Sequence, residues 1–130
     1  MQSLSWKSGG AADWSGPYHL TATRFTYRHL IDLGPVTAAG LRLRAQWGEV
    51  EGAVGLILAG DMATRTTYTL SVWRAADDLT RWMRGAAHAG LMRDFRSKLA
   101  SSAAESWSAA ELDVAQAWTQ ALAAVPLAKS

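Results

Sequence analysis

The sequence predicts an α+β domain: a four-stranded antiparallel sheet in split β-α-β order, helices packed on it, and one further helix at its C-terminal end. Three observations carry this. Short β-branched and apolar runs at 18–27, 53–59 and 66–73 read as strands. Apolar stripes at three- and four-residue spacing lie between and after them and read as helices. A chain of 130 residues, 49% hydrophobic and 18% charged, has the material for one core and not two.

Tyr18–Tyr27 is the first strand. Its odd positions carry His19, Thr21, Thr23, Phe25 and Tyr27, and its even ones Tyr18, Leu20, Ala22, Arg24 and Thr26. Neither set is cleanly polar, so both faces are expected to be covered. Gly34-Pro35 then marks a turn with proline at the first helical position. Val36, Gly40, Leu43 and Trp47 form one stripe on a helix that Gly48 ends. Ala53–Ala59 reads as a buried strand and Gly60–Arg65 as a hairpin connection. Thr66–Trp73 alternates cleanly, with Thr67, Thr69, Ser71 and Trp73 on one face and Tyr68, Leu70 and Val72 on the other.

The helix expected from Ala76 to Leu99 carries two stripes out of phase. Leu79, Trp82, Met83 and Ala86 share one side; His88, Leu91, Met92, Phe95 and Leu99 form a second stripe pointing elsewhere. One element holds both only if it breaks near Arg84–Ala86, where Gly85 permits the change of direction. The break turns His88 inward, over the sheet. Ser101–Trp107 is the last strand. Ser108-Ala-Ala-Glu111 has the spacing of a capping box and is expected to open a helix carrying Leu112, Ala115, Trp118 and Leu122, ended by Pro126. The first six elements have the ferredoxin-like order. Helices on one face leave the other bare, and pairing two such sheets into a barrel across a homodimer would cover it. One domain is expected over 17–126, with 1–16 a flexible or docking N-terminal tail bearing Trp6 and Trp14.

Composition narrows the chemistry. With no cysteine, disulfides, thiolate metal sites and thiol nucleophiles are excluded, and a reducing cytoplasmic setting is expected. Three histidines without His-Glu-x-x-His spacing argue against a protein-built metal site. No apolar run approaches the ~18 residues that span a membrane, and the first sixteen residues lack the apolar stretch of a signal peptide. A net charge of +2 without aromatic–basic interleaving argues against nucleic acid. Nucleophile elbows, phosphate loops and dinucleotide fingerprints are absent from the sequence.

His88 is the leading chemical candidate. On an apolar face it favours the neutral form, which can act as general base, hydrogen-bond donor or iron ligand; otherwise it is a structural histidine tied to a carbonyl. Trp73 and Trp107 read as pocket walls for a flat ligand or as packing under the helices, and Met92 shares the face of His88. Ser71 and Thr69 are candidate orienting hydroxyls. Arg24, mid-strand among covered residues, needs a partner: Glu105 on the last strand, or a ligand carboxylate or phenolate.

Thr69-Leu-Ser-Val-Trp73, Asp77-Asp78-Leu79, Trp82-Met83, His88 and Phe95 together resemble the dimeric α+β barrel proteins, and within them the spheroidene-monooxygenase-like and antibiotic-biosynthesis-monooxygenase-like groups. The resemblance covers roughly Tyr18–Leu122 and is carried by a Ser-x-Trp strand end running into a helix with a histidine. It implies a ferredoxin-like fold, a homodimer, and a small monooxygenase-like or cyclase-like enzyme of specialised metabolism acting on a hydrophobic aromatic molecule. In that reading His88 moves a proton, Arg24 stabilises an enolate or phenolate, and Ser71, Trp73, Met92 and Trp107 hold the substrate. Haem-degrading relatives in the same superfamily have two tryptophans nine residues apart followed by a haem-binding histidine. Trp73 and Trp82 keep that spacing, but the matching position is Met92, with His88 one turn earlier. The resemblance therefore implies either no cofactor or haem with His88 as axial ligand. A non-catalytic protein that binds a hydrophobic ligand is the alternative.

Overall fold

In the computed structural model, which describes residues 1–127, the strands form one antiparallel sheet with helices packed on it. The strands are β1 (Gln2–Ser3), β2 (Lys7–Ser8), β3 (Tyr18–Tyr27), β4 (Ala53–Asp61), β5 (Thr66–Trp73) and β6 (Leu99–Ala109). The helices are α1 (Leu33–Gln46), α2 (Ala76–Arg84), α3 (Ala86–Phe95) and α4 (Val114–Ala124). The sheet order is β1-β4-β5-β3-β6, with β2 also on β4. Without β1 and β2 this is the ferredoxin-like arrangement expected from the element order.

The register assigns the faces. Thr21 pairs with Ser71 and Thr23 with Thr69, while Leu56 lies opposite Ser71 and Leu58 opposite Thr69. Alternation puts these residues with Phe25, Thr67 and Trp73 on the face under α1, α2 and α3. The other face carries Leu20, Ala22, Arg24, Ile57, Ala59, Tyr68, Leu70 and Val72, and α4 packs there through Ala117 and Ala121 with Val125 just beyond its end. The second face, expected to be bare within one chain, is thus partly covered by α4, whose own apolar stripe needs burial.

The helix break falls where the change of phase requires it. Gly85 has extended backbone, φ −74° and ψ 162°, between α2 and α3. The last helix differs from expectation. Ser108 is still in the ladder with β3, opposite His19, so it cannot cap a helix. The cap is Asp113, whose carboxylate accepts the backbone N–H of Gln116 at 3.0 Å.

The sheet also continues into the segment read as an N-terminal tail. Gln2 and Ser3 pair with Gly60 and Ala59, Lys7 and Ser8 with Leu56 and Gly55, and Ala11 is buried. At Gly55 a side chain would collide with the Trp6 indole, so the bare backbone there is the seat of that ring. Gly52, at φ 78°, likewise leaves room for the Asp78 carboxylate.

Candidate functional site

The helix-covered face has a solid end and a hollow end. At the solid end Trp47 and Trp73 are fully buried. Their ring centroids lie 5.3 Å apart at 74°, and Trp82 stands 5.6 Å from Trp47 and 5.8 Å from Trp73. These are edge-on and tilted contacts of the kind indoles favour. Leu56 and Leu79 complete the cluster. Trp73 donates its indole N–H to Ser71 Oγ at 2.9 Å, which uses the one indole donor and leaves the Ser71 O–H free to donate.

At the hollow end a cavity of about 690 Å³ separates the sheet from α1 and α3. Its floor is Phe25, Tyr27, Leu58, Gly60, Thr67 and Thr69; α1 supplies Leu33, Val36, Ala39, Gly40 and Leu43; α3 supplies Leu91, Met92 and Phe95. The lining is mostly apolar with a few hydroxyls, the composition of a small-molecule site. Of the ionisable residues along it, Tyr27 is on the cavity face, Asp61 is at the rim, and Tyr68 alternates onto the other face. Burial pushes the Tyr27 phenol up, a hydrogen bond with Thr67 offsets part of this, and the charge of Asp32 adds to the rise. Asp61, at the rim, accepts the backbone N–H of Ala63 and holds the β4–β5 turn.

The sequence candidates do not converge on this cavity. Met92 lines it, as does Thr69. Trp73 and Ser71 belong to the solid end. Arg24 and Trp107 lie on the opposite sheet face, because β3 and β6 alternate in register: Arg24 pairs with Ala103, and Leu20 with Trp107. Arg24 is 4% exposed and donates to Thr26 at 2.8 Å and Ser101 at 3.0 Å. Glu105, one of the two expected partners, is exposed and sits opposite Ala22. Tyr27, Thr67 and Phe25 were not singled out; their only signal was membership of the faces that carry Thr69.

His88 stands between the two ends. Its ring lies 4.9 Å from Trp82, edge-on, and it lines an outer groove with Met83, Met92, Arg93 and Arg96 rather than the cavity. Burial lowers its pKa, partly countered by a hydrogen bond to the Met83 carbonyl. A bond to a carbonyl is also what a metal-ligating histidine has. Were haem bound in this groove, His88 would be its candidate ligand, with Arg93 and Arg96 beside it, while Met92 lines both the groove and the apolar cavity.

No protein-family model and no curated protein sequence matches the chain. Solved structures do. SnoaB, a cofactor-independent oxygenase from Streptomyces nogalater, is similar over 75% of this chain and 97% of its own, with TM-score 0.57 and 17% identity. A candidate antibiotic biosynthesis monooxygenase from Nitrosomonas europaea aligns over 78% of this chain and 96% of its own, with TM-score 0.63 and 9% identity. A dimeric ferredoxin-like protein of unknown function from Thermobifida fusca aligns over 72% and 92%, with TM-score 0.60 and 12% identity. What these likenesses establish is the fold: the chain has the ferredoxin-like α+β architecture shared by the antibiotic-biosynthesis-monooxygenase-like proteins.

Proposed function

We propose that the chain is a small monooxygenase-like enzyme that holds an apolar, aromatic molecule in the cavity between α1, α3 and the sheet. The observation that carries this is the cavity itself: about 690 Å³ of space walled by leucines, Phe25 and Phe95, with Thr67, Thr69 and Tyr27 hydroxyls on its floor. Its likeness in fold to a cofactor-independent oxygenase supports the reaction class. In that reading O2 is the oxidant and a substrate CH2 carbon, deprotonated as an enolate or phenolate, is the reductant: the carbon gives up four electrons to become C=O, one oxygen atom stays in the product and the other leaves as water. The protein excludes water and orients the substrate oxygen toward the floor hydroxyls. His88 lies in the neighbouring groove, which shares Met92 with the cavity, so a role as acid or base requires the substrate to reach past Met92. A cyclase working on the same ligand class would move protons without consuming O2.

The test is oxygen uptake with a panel of polyphenolic and polyketide-like aromatics. Uptake matched to product formation supports the oxygenase reading, and turnover without uptake moves the assignment to a cyclase. Saturable binding without turnover supports a non-catalytic ligand-binding protein. That second reading has its own observation: no side chain lining the cavity, among the described residues, is a histidine, lysine, arginine or glutamate. Haemin titration checks the haem alternative, which requires a Soret band that His88→Ala abolishes.

The proposal includes a second copy of the chain. β6 is an eleven-residue edge strand with Ser102, Ala104, Glu105, Ser106 and Ser108 exposed, and an open edge of that length invites pairing. Light scattering on the purified chain reads the mass directly: a dimer supports this part of the reading and a monomer ends it.

A further inference from the structure

One wall of the cavity is built differently from the others. Gln2 and Leu4 line it, and they belong neither to a helix nor to a long strand. The segment crosses the gap between β4 and α1. On the β4 side Leu4 donates its backbone N–H to the Leu58 carbonyl at 2.8 Å. On the α1 side Arg44 donates to the carbonyl and hydroxyl oxygens of Ser5, both at 3.2 Å.

The two ends of this strap are held unequally. Residues 7–11 are anchored by the Lys7 and Ser8 pairing, by Gly9 N–H to the Val54 carbonyl at 3.0 Å, by Ala11 N–H to the Ala53 carbonyl at 2.7 Å, and by the buried Ala11 side chain. Residues 1–5 have a two-residue ladder and the Leu4 and Ser5 hydrogen bonds, but all five are exposed and none buries a side chain. Between them Trp6 sits on the bare backbone of Gly55. Segments with few buried contacts and exposed hydrogen bonds open at the lowest free energy.

We propose that residues 2–5 are the movable wall of the cavity: they lift from β4 beyond the Trp6 anchor to admit the ligand, and Gln2 and Leu4 select what fits when they return. This rests on the reading that the cavity binds a ligand.

The absence of cysteine permits a clean lock. Ser3 and Ala59 are directly paired and face away from the cavity, at a separation an antiparallel ladder makes compatible with a disulfide. Binding of the fluorescent aromatic 1-aminoanthracene is followed by stopped flow in the Ser3→Cys, Ala59→Cys chain. Oxidation is expected to slow association and dissociation together by about tenfold or more, as when a minor open state is removed, and reduction to restore both. Gly55→Ala, which unseats Trp6, is expected to do the reverse: faster exchange and weaker binding. Leu4→Trp is expected to weaken 1-aminoanthracene more than the smaller 1-naphthylamine. Unchanged rates in the locked chain, with the disulfide confirmed by mass, overturn the movable wall, and an equal effect of Leu4→Trp on both probes overturns the selection. If the wild-type chain does not bind 1-aminoanthracene saturably, the cavity reading fails and this inference fails with it.

Discussion

The solid and hollow ends of the helix-covered face are built from the same strands and differ in what those strands carry. β5 runs Thr67, Thr69, Ser71, Trp73 along this face, small residues at one end and an indole at the other. α1 runs in parallel, with Gly40 toward the hollow end and Trp47 just beyond its last turn at the solid one. Three indoles interlock where the residues are large, and space remains where they are small. Aromatic density therefore marks the structural anchor of this fold, and the small residues of β5 and α1 leave open the space proposed to hold a ligand.

The contrast breaks most visibly at Trp47. Trp47→Ala removes a fully buried indole from between Trp73 and Trp82, and is expected to cost about 3–5 kcal/mol in urea unfolding, the range for deleting a large core ring. A cost below 1 kcal/mol would show that the cluster is not the anchor.

Asp78 is the polar counterpart of that anchor. Its carboxylate accepts from Arg74 at 3.1 and 3.2 Å and from Arg81 at 3.0 Å. The Arg74 hydrogen bond is the largest influence holding its pKa below the usual carboxylate value, burial opposes it, and Arg81 adds to the lowering. Both arginines are more than a third exposed, so solvent screening limits Asp78→Asn to about 1–2 kcal/mol.

Gly40→Leu sharpens the contrast from the other side. The added side chain points toward Leu58 and fills space rather than displacing backbone. Stability is expected to stay within about 1 kcal/mol, helped by the better helix propensity, while aromatic-probe binding falls sharply in a fluorescence titration. Retained binding would place the ligand elsewhere.

The smallest effect belongs to His88. Its pKa is depressed in the fold, so its contribution is complete above the unfolded value of 6.5 and is lost as pH falls from there. Asp78 is also depressed, and its contribution persists until pH falls through its own range, below the ordinary 3.8. Urea midpoints measured from pH 8 to pH 3 should show a shallow loss below about 6.5 that His88→Ala removes, and a deeper acid loss that Asp78→Asn reduces. His88→Ala at pH 8 is expected to change stability by about 1 kcal/mol, since it removes a half-buried ring that stands edge-on to Trp82.

The backbone plan was legible because periodicity reports it directly. The strand Thr66–Trp73 and the break at Gly85 follow from alternation and from a stripe that changes phase. The start of α4 did not, because Ser108-Ala-Ala-Glu111 has cap spacing while the ladder with β3 holds Ser108 extended. Local signals lost there to a tertiary pairing. The cavity was less legible than the sheet. Its floor alternates with the core of the other face, so deciding between Arg24 and Phe25 needed the register and not the residue type. The N-terminal wall was hidden for a different reason: two-residue strands leave no periodicity, and the seat for Trp6 is made by a glycine 49 positions away.

The break at Gly85 divides labour along the chain. α2 ends among side chains that hold the fold, while α3 supplies three of the cavity's lining side chains, Leu91, Met92 and Phe95. For an engineer this is a natural cassette boundary. Randomising Leu91, Met92 and Phe95 explores new ligand shapes while the tryptophan cluster stays untouched, so variants should fail by losing their ligand before they fail by unfolding.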